Sequence, residues 1–534
     1  MMSMRASLPS LLLAGMLCAL NSQPGPVRAQ TPVKGGTLVA VSNPNEPAVL
    51  TAAFNQTGDV AVISTKIFDG LIHIGDNFKP EPELASSWDI AEDGKQIRFH
   101  LRSNVKWHDG VPFTAADVKF SFDEVWTKIH PRGRSTFAAV EAVDTPDPLT
   151  VVFKLKNPSG VIFSALSSGE SQILPKHLYE GTDILKNPWN SKPVGTGPFR
   201  FKEWVRGDYI LLERNPDYWD KGKPYLGQLI FRIIPDKTAR YAAFTTGTIQ
   251  YGALSPISII DLERAQKDDR LQVEFKGNEW LGSRISLEFN VRRPPFSDVN
   301  VRRAVAYALD LQALSKLTTR GLGKPGTSPI ISTHARFYST DVSSYPLDLK
   351  RAEQLLDAAG YPRKPDGTRL SVSLDWLPFG EQWQRTGEFI RQSLRRVGID
   401  VELRSQDMAR FMQRVYTDND FDFIVSHWAS FGDPQIGTVR NFWSKAILKG
   451  VPWSNASGYS NPELDKIVEA AQKAPTEEQR VELFRQFQKI AMSDIPIYVL
   501  LENRLYSVAS RRVHGLSTSP DGAYDSLKNV WLSE

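Results

Sequence analysis

Cysteine is almost absent from this 534-residue chain, and the single one, Cys18, lies inside an N-terminal apolar run. With that leader removed, disulfide stapling and thiol catalysis are both excluded, so a large core must hold the fold without cross-links. Histidine is scarce: eight residues show no H-E-x-x-H or other ligand spacing, which argues against a zinc site, and no cofactor is expected. Charge of one sign is lacking too. The net charge of +4 falls to +2 once Arg5 and Arg28 leave with the leader, which does not suit a nucleic-acid binder. Long hydrophobic runs are missing. The apolar stretch 8–20 is shorter than the roughly 20 residues a membrane span needs, and no later stretch is long enough. Internal repeats and low-complexity linkers are also lacking, so composition marks no domain boundary.

What the N-terminus does contain is a secretory signal: basic Arg5, the short apolar core, and Val27-Arg28-Ala29 before Gln30. Cleavage is expected after Ala29, making 1–29 a signal peptide and the mature protein periplasmic. Leu17 before Cys18 disfavours lipidation. The length predicts two or three domains. Hydrophobic content of 41% and charged content of 23% are ordinary for a soluble globular protein.

The mature chain reads as mixed α/β. Strands are predicted at 97–102, 150–155, 209–213, 229–234, 284–290, 371–376, 399–404 and 421–426, each rich in β-branched or aromatic residues. Helices are predicted over 348–359, opening on Asp348 and stopping at Gly360 before Pro362, over 381–397, and over 477–492 after Thr476 with Gln479 as capping-box partner. Residues 84–122 combine these signals. Glu92-Asp93-Gly94 predicts a hairpin turn, Ile97, Phe99 and Leu101 alternate with Arg98, His100 and Arg102, and Thr114 is placed to cap a helix with Asp117 three residues on.

Catalytic readings fail on their own terms. His108-Asp109 has no serine in a nucleophile elbow to serve, so a turn role is preferred. Gly195-Thr196-Gly197-Pro198 lacks the Gly-Lys-Ser/Thr of a phosphate loop, and Pro198 removes a backbone donor. Glu381, Glu388, Asp400 and Glu402 read as solvated faces of amphipathic elements. A binding signal lies instead in the aromatics. Of thirteen tryptophans, Trp280, Trp376, Trp428, Trp443 and Trp453 are predicted in loops, where they would either line a cleft or close core contacts.

The block 84–122, with Pro193–Phe199, Leu212–Trp219, Val301–Asp310 and Ala352–Pro362 in order behind it, resembles the extracellular solute-binding proteins of family 5. These are dipeptide- and oligopeptide-binding components of ABC importers. The resemblance implies an α/β, two-lobed periplasmic-binding-protein fold with an extra subdomain in the first lobe and hinge crossings between lobes. Residues 30–76, 198–300 and 505–534 would form lobe I, 77–197 its inserted subdomain, and 301–504 lobe II. The crossings would fall near 290–301 and at Arg504-Leu505-Tyr506. The implied protein is a monomeric, non-enzymatic binder that closes on a peptide or peptide-like solute and delivers it to permease and ATPase subunits.

The resemblance also points to ligand residues. The strand 421–426 would end in Trp428-Ala429-Ser430-Phe431-Gly432-Asp433, where peptide binders carry an aspartate for the ligand's α-ammonium. Ser430 or Phe431 stands in that place, and Asp433 matches only a later acidic position that shapes the loop. Arg385 matches the arginine some dipeptide binders use for a carboxylate, and surface salt-bridging competes with that role. Asn45 and Glu46 lie in the loop 43–47 that usually lines the ligand, and Glu46 would replace the lost charge. An oligosaccharide, opine, polyamine or metal chelate is the alternative ligand within the same fold. A secreted hydrolase or a chaperone-like binder is the alternative of another class.

Overall fold

The computed structural model describes residues 31–42 and 45–534. Residues 1–30, which contain the expected signal peptide, and Asn43 and Pro44 lie outside the described residues. Among the described residues, no helix is long and apolar enough to cross a membrane.

Two large sheets organise the chain. The first has seven strands in the order Leu271–Glu274, Ser507–Ser510, Tyr251–Gly252, Thr37–Ser42, Gln228–Ile233, Tyr209–Arg214 and Phe199–Val205. Its centre is parallel, with Leu38 opposite Leu229. The second has six, in the order Lys324–Pro325, Ile497–Glu502, Arg284–Phe289, Phe423–Trp428, Leu370–Trp376 and Ile399–Arg404. A four-stranded antiparallel sheet, Ala85–Ile90, Gln96–Leu101, Thr150–Leu155 and Val140–Asp147, shares one continuous apolar core with the first. The second sheet and its helices build separate cores.

Local rules explain these elements. Ile97, Phe99 and Leu101 are buried while Gln96, Arg98 and His100 are half-buried, so the period-2 pattern turns one face inward. The hairpin before them turns at Gly94, whose φ of +66° favours glycine. Asp117 accepts from Thr114 N at 2.9 Å in a capping box that opens Ala115–Phe120. Asp348 caps Leu349–Ala358 through Arg351 N (2.9 Å), and Thr476 Oγ1 accepts from Gln479 N (3.3 Å) at the start of Glu477–Asp494. His108 sits in a turn, taking a hydrogen bond from Gly195 N (3.2 Å) on Nδ1 while Nε2 lies 3.0 Å from Gly197 O. Gly195 packs so close that a Cβ would lie 1.9 Å from the Ile67 carbonyl oxygen. His108, within the block 84–122, thus holds the glycine segment 195–197 in place together with Ile67.

Two expectations need correction. Arg284–Phe289, expected in lobe I, pairs with Phe423–Trp428 and Ile497–Glu502, because Ile285, Leu287 and Phe289 pack into the second core. The chain therefore passes from the first sheet to the second between Glu274 and Arg284, earlier than 290–301. It passes back between Glu502 and Ser507. The strand expected at 421–426 is Phe423–Trp428, so Trp428 is its last residue. Trp376 likewise ends a strand and is buried in the core.

Candidate functional site

The central strand Phe423–Trp428 of the second sheet points its C-terminal end at the first half of the molecule. It runs into a short, tightly determined loop. Ser430 N bonds Leu281 O (2.8 Å) and Gly432 N bonds Trp280 O (3.0 Å), tying the loop to the chain segment that joins the sheets. Phe431 adopts φ +51° and Gly432 φ +72°. A side chain at 432 would meet the Trp280 ring at 2.7 Å, so glycine is required there both for its backbone angle and for space. Asp433 then caps Pro434–Gly437 through Gln435 N (2.8 Å) and takes Arg480 Nη2 at 2.9 and 3.0 Å on its two oxygens. The acidic position therefore shapes the loop.

Across the boundary stands Arg132, from the first half. Its guanidinium lies over the Phe431 ring at 3.9 Å and is held by Glu170, Nε to Oε1 at 2.9 Å and Nη2 to Oε2 at 2.5 Å. Trp280 meets Phe431 edge-on at 5.3 Å and Tyr524 at 5.6 Å, while Phe78 meets His334 at 5.0 Å. Beneath the loop is a buried polar row. Arg284 Nη1 donates to Ser430 Oγ (3.0 Å), which donates to Gly282 O (3.2 Å). Glu288 accepts from Trp428 Nε1 at 2.5 Å and from the Ser426 hydroxyl. Burial pushes Glu288 up to about 7 and Arg284 down to about 10, and burial also holds His130, His334 and His427 near 4, leaving them neutral at pH 7.

The structure brings Trp428, Ala429, Ser430, Phe431 and Asp433 together and leaves three expected residues elsewhere. Glu46 accepts from Trp204 Nε1 (2.9 Å) and Gly207 N (3.2 Å) and pairs with Arg206 at 3.7 Å, so it braces the hairpin 199–214. Asn45 is exposed, its carbonyl taking the Ser42 hydroxyl at 2.9 Å. Arg385 pairs with Glu381 at 2.5 Å, and both side chains are largely in solvent. Sequence reasoning missed Arg132, Glu170, Arg284, Glu288 and Arg480. For Arg284 and Glu288 a signal existed, since Arg284, Ser286 and Glu288 alternate with Ile285, Leu287 and Phe289. No group of three or more His, Cys, Asp or Glu among the described residues is placed to hold a metal ion.

Two sheet-centred halves that meet at a strand-end loop define a two-lobed solute-binding protein. The chain belongs to the bacterial extracellular solute-binding proteins, family 5, whose middle-region model matches residues 79–449. Members are non-catalytic, extracytoplasmic components that work with the permease and ATPase subunits of ABC transporters. Among relatives, the oligopeptide-binding protein AppA of Bacillus subtilis is 27% identical over 95% of this chain and 93% of its own. Its structure with a nonapeptide superposes with a TM-score of 0.80 at 25% identity, over 94% of this chain and 100% of that one. Heme-binding protein A of Haemophilus influenzae is 29% identical over 84% of each chain. The binding protein AgaA of A. tumefaciens R10, solved with agropinic acid, gives a TM-score of 0.78 at 27% identity, covering 93% of this chain and 99% of its own.

Proposed function

We propose that this chain captures a peptide or peptide-sized solute between its lobes in the periplasm and presents the closed form to an inner-membrane permease. The observation that carries the reading is the loop 428–433, a strand end of one half seated under Arg132 of the other. A ligand bridging those surfaces favours the closed arrangement by its contacts to both, and binding then drives a hinge motion without bond making. In this reading 31–76, 198–274 and 507–534 form lobe I, 77–197 its subdomain and 284–502 lobe II, with hinges at the two passages between sheets. The mature protein is a monomer beginning at Gln30. The relatives' peptide ligands support a peptide. Ser430 and Phe431, which carry no charge where an amine would need one, favour a ligand without a free α-ammonium.

Calorimetric titration of the mature protein with N-acetylated and free-amine peptides of two to nine residues tests both points. Binding of the acetylated set is expected. Tight binding confined to free-amine dipeptides would refute the loop argument, and binding of neither set would refute the peptide reading.

A further inference from the structure

We propose that the solute carries an oxyanion, a carboxylate or phosphate group, and that Arg440 receives it at the boundary between the two halves. The inference deepens the proposed function and rests on that boundary being the binding site.

Arg440 lies in the turn Val439–Asn441, just after Pro434–Gly437, and Pro434–Gly437 packs against Gly133–Thr136 and Val161–Ala165 of the other half. Its guanidinium is within electrostatic range of Arg132, Glu170 and His130 from the first half and Tyr416 from the second. Two carboxylates of this region are already paired, Glu170 with Arg132 and Asp433 with Arg480, while Glu288 accepts from Trp428 and Ser426 on Oε1 only and leaves Oε2 without a partner. Arg440 itself has only a long contact, Nη2 to Pro452 O at 3.4 Å. The half-buried side chain is thus a cation beside a second cation, without a counter-charge within 4.0 Å among the described residues. Burial and then Arg132 pull its pKa to about 10, which leaves it charged at pH 7. Such a group is costly unless something anionic completes it.

A second observation points the same way. Gln435 Oε1, Thr438 Oγ1 and both amide atoms of Asn441 are buried without a hydrogen-bond partner. Their spacing of three places them along one side of the two consecutive helical turns. Thr136 Oγ1, on the segment that packs against Pro434–Gly437, is also unpartnered. Buried polar groups normally find partners, so the unused donors of this row, the Thr438 and Thr136 hydroxyls and the Asn441 amide N–H beside an unpaired guanidinium, are fitted to an acceptor-rich ligand group. Behind Arg440, the Trp453 ring lies 6.3 Å from Tyr416 and 6.1 Å from Trp428, packed on the buried second core.

The test is a paired panel against the mature full-length protein by thermal shift and calorimetry. It comprises acetylated peptide acids against the same peptides as amides, hexuronic acids against the neutral hexoses, and inorganic phosphate alone. Binding is expected only from members that bear an oxyanion. Arg440→Gln is expected to weaken it roughly 10- to 100-fold with the unliganded melting temperature not lowered, since an uncompensated charge is removed, and Arg385→Gln to leave it intact. If Arg440→Gln does not fold, Asn441→Ala must still weaken the acids. Binding of phosphate alone would assign the site to phosphate, and acids without phosphate would assign it to carboxylate. Uronic acids binding where no peptide does would sustain the oxyanion and end the peptide reading. Equal binding of acids and their neutral partners, full affinity in Arg440→Gln, or no binding across the panel would overturn the inference.

Discussion

Asp433→Asn separates the loop-shaping role of this residue from any contact with ligand. Asp433 is fully buried and Arg480 is 4% exposed, and Nη2 of the arginine reaches both carboxylate oxygens at 2.9 and 3.0 Å. Removing one partner of a buried pair costs about 3–5 kcal/mol, mostly because the other charge is left uncompensated. Here Arg480 keeps Glu477 at 3.4 Å, a pair open to solvent on the glutamate side, so the lower end, about 3 kcal/mol, is expected. The asparagine oxygen can still accept from Gln435 N, so the helix cap survives and the loss isolates the charge. Urea unfolding of the single variants, Arg480→Met and the double variant gives the coupling energy. A loss below about 0.5 kcal/mol in Asp433→Asn would mean that the pair does not define the loop. A large stability loss with ligand affinity unchanged would separate the loop from binding.

Glu288 and Phe431, in the same neighbourhood, give two more tests. Glu288, pushed up to about 7 from its ordinary 4.5, binds more protons folded than unfolded. Its stabilising contribution is therefore full below pH 4.5 and is lost as pH rises through 7, by roughly 3 kcal/mol; the difference between wild type and Glu288→Gln, measured from pH 4.5 to 8, should follow that slope, and a flat difference would refute it. Phe431→Leu keeps a side chain at φ +51° but removes the ring beneath Arg132, about 0.5–2 kcal/mol of attraction between the halves. Small-angle scattering of the liganded protein should then show a larger open fraction, and an unchanged profile would show that this contact does not hold the halves together.

The parts of the fold that were legible in the sequence are those written within a few residues. The Gly94 hairpin, the Thr114–Asp117 capping box and the Asp348 cap each depend on side chains two or three positions apart. The passage between sheets was not legible, because strands 271–274 and 284–289 are both good strands and only pairing with Phe423–Trp428 tells where the second belongs. The candidate site was read at one end only. Its loop, 428–433, was visible as a strand followed by polar and turn residues. Its other components, Arg132 with Glu170 and Asp433 with Arg480, meet from 38 and 47 positions apart, a distance at which no local pattern operates.

The expectations placed on Glu46 and Arg385 meet the same difficulty. Both were chosen for a charge complementary to an expected ligand, yet in each case the protein supplies the partner, Trp204 and Arg206 for one and Glu381 for the other. A charged residue says little about ligand chemistry until its internal partners are known. By that criterion the informative residues are the ones left over once internal pairing is complete. In the second half these include Arg440 and the amide and hydroxyl groups of Gln435, Thr438 and Asn441. They come directly after the loop where the resemblance places an amine-binding aspartate and this chain has Ser430-Phe431, so in the proposed reading the two features together favour anionic over cationic solutes.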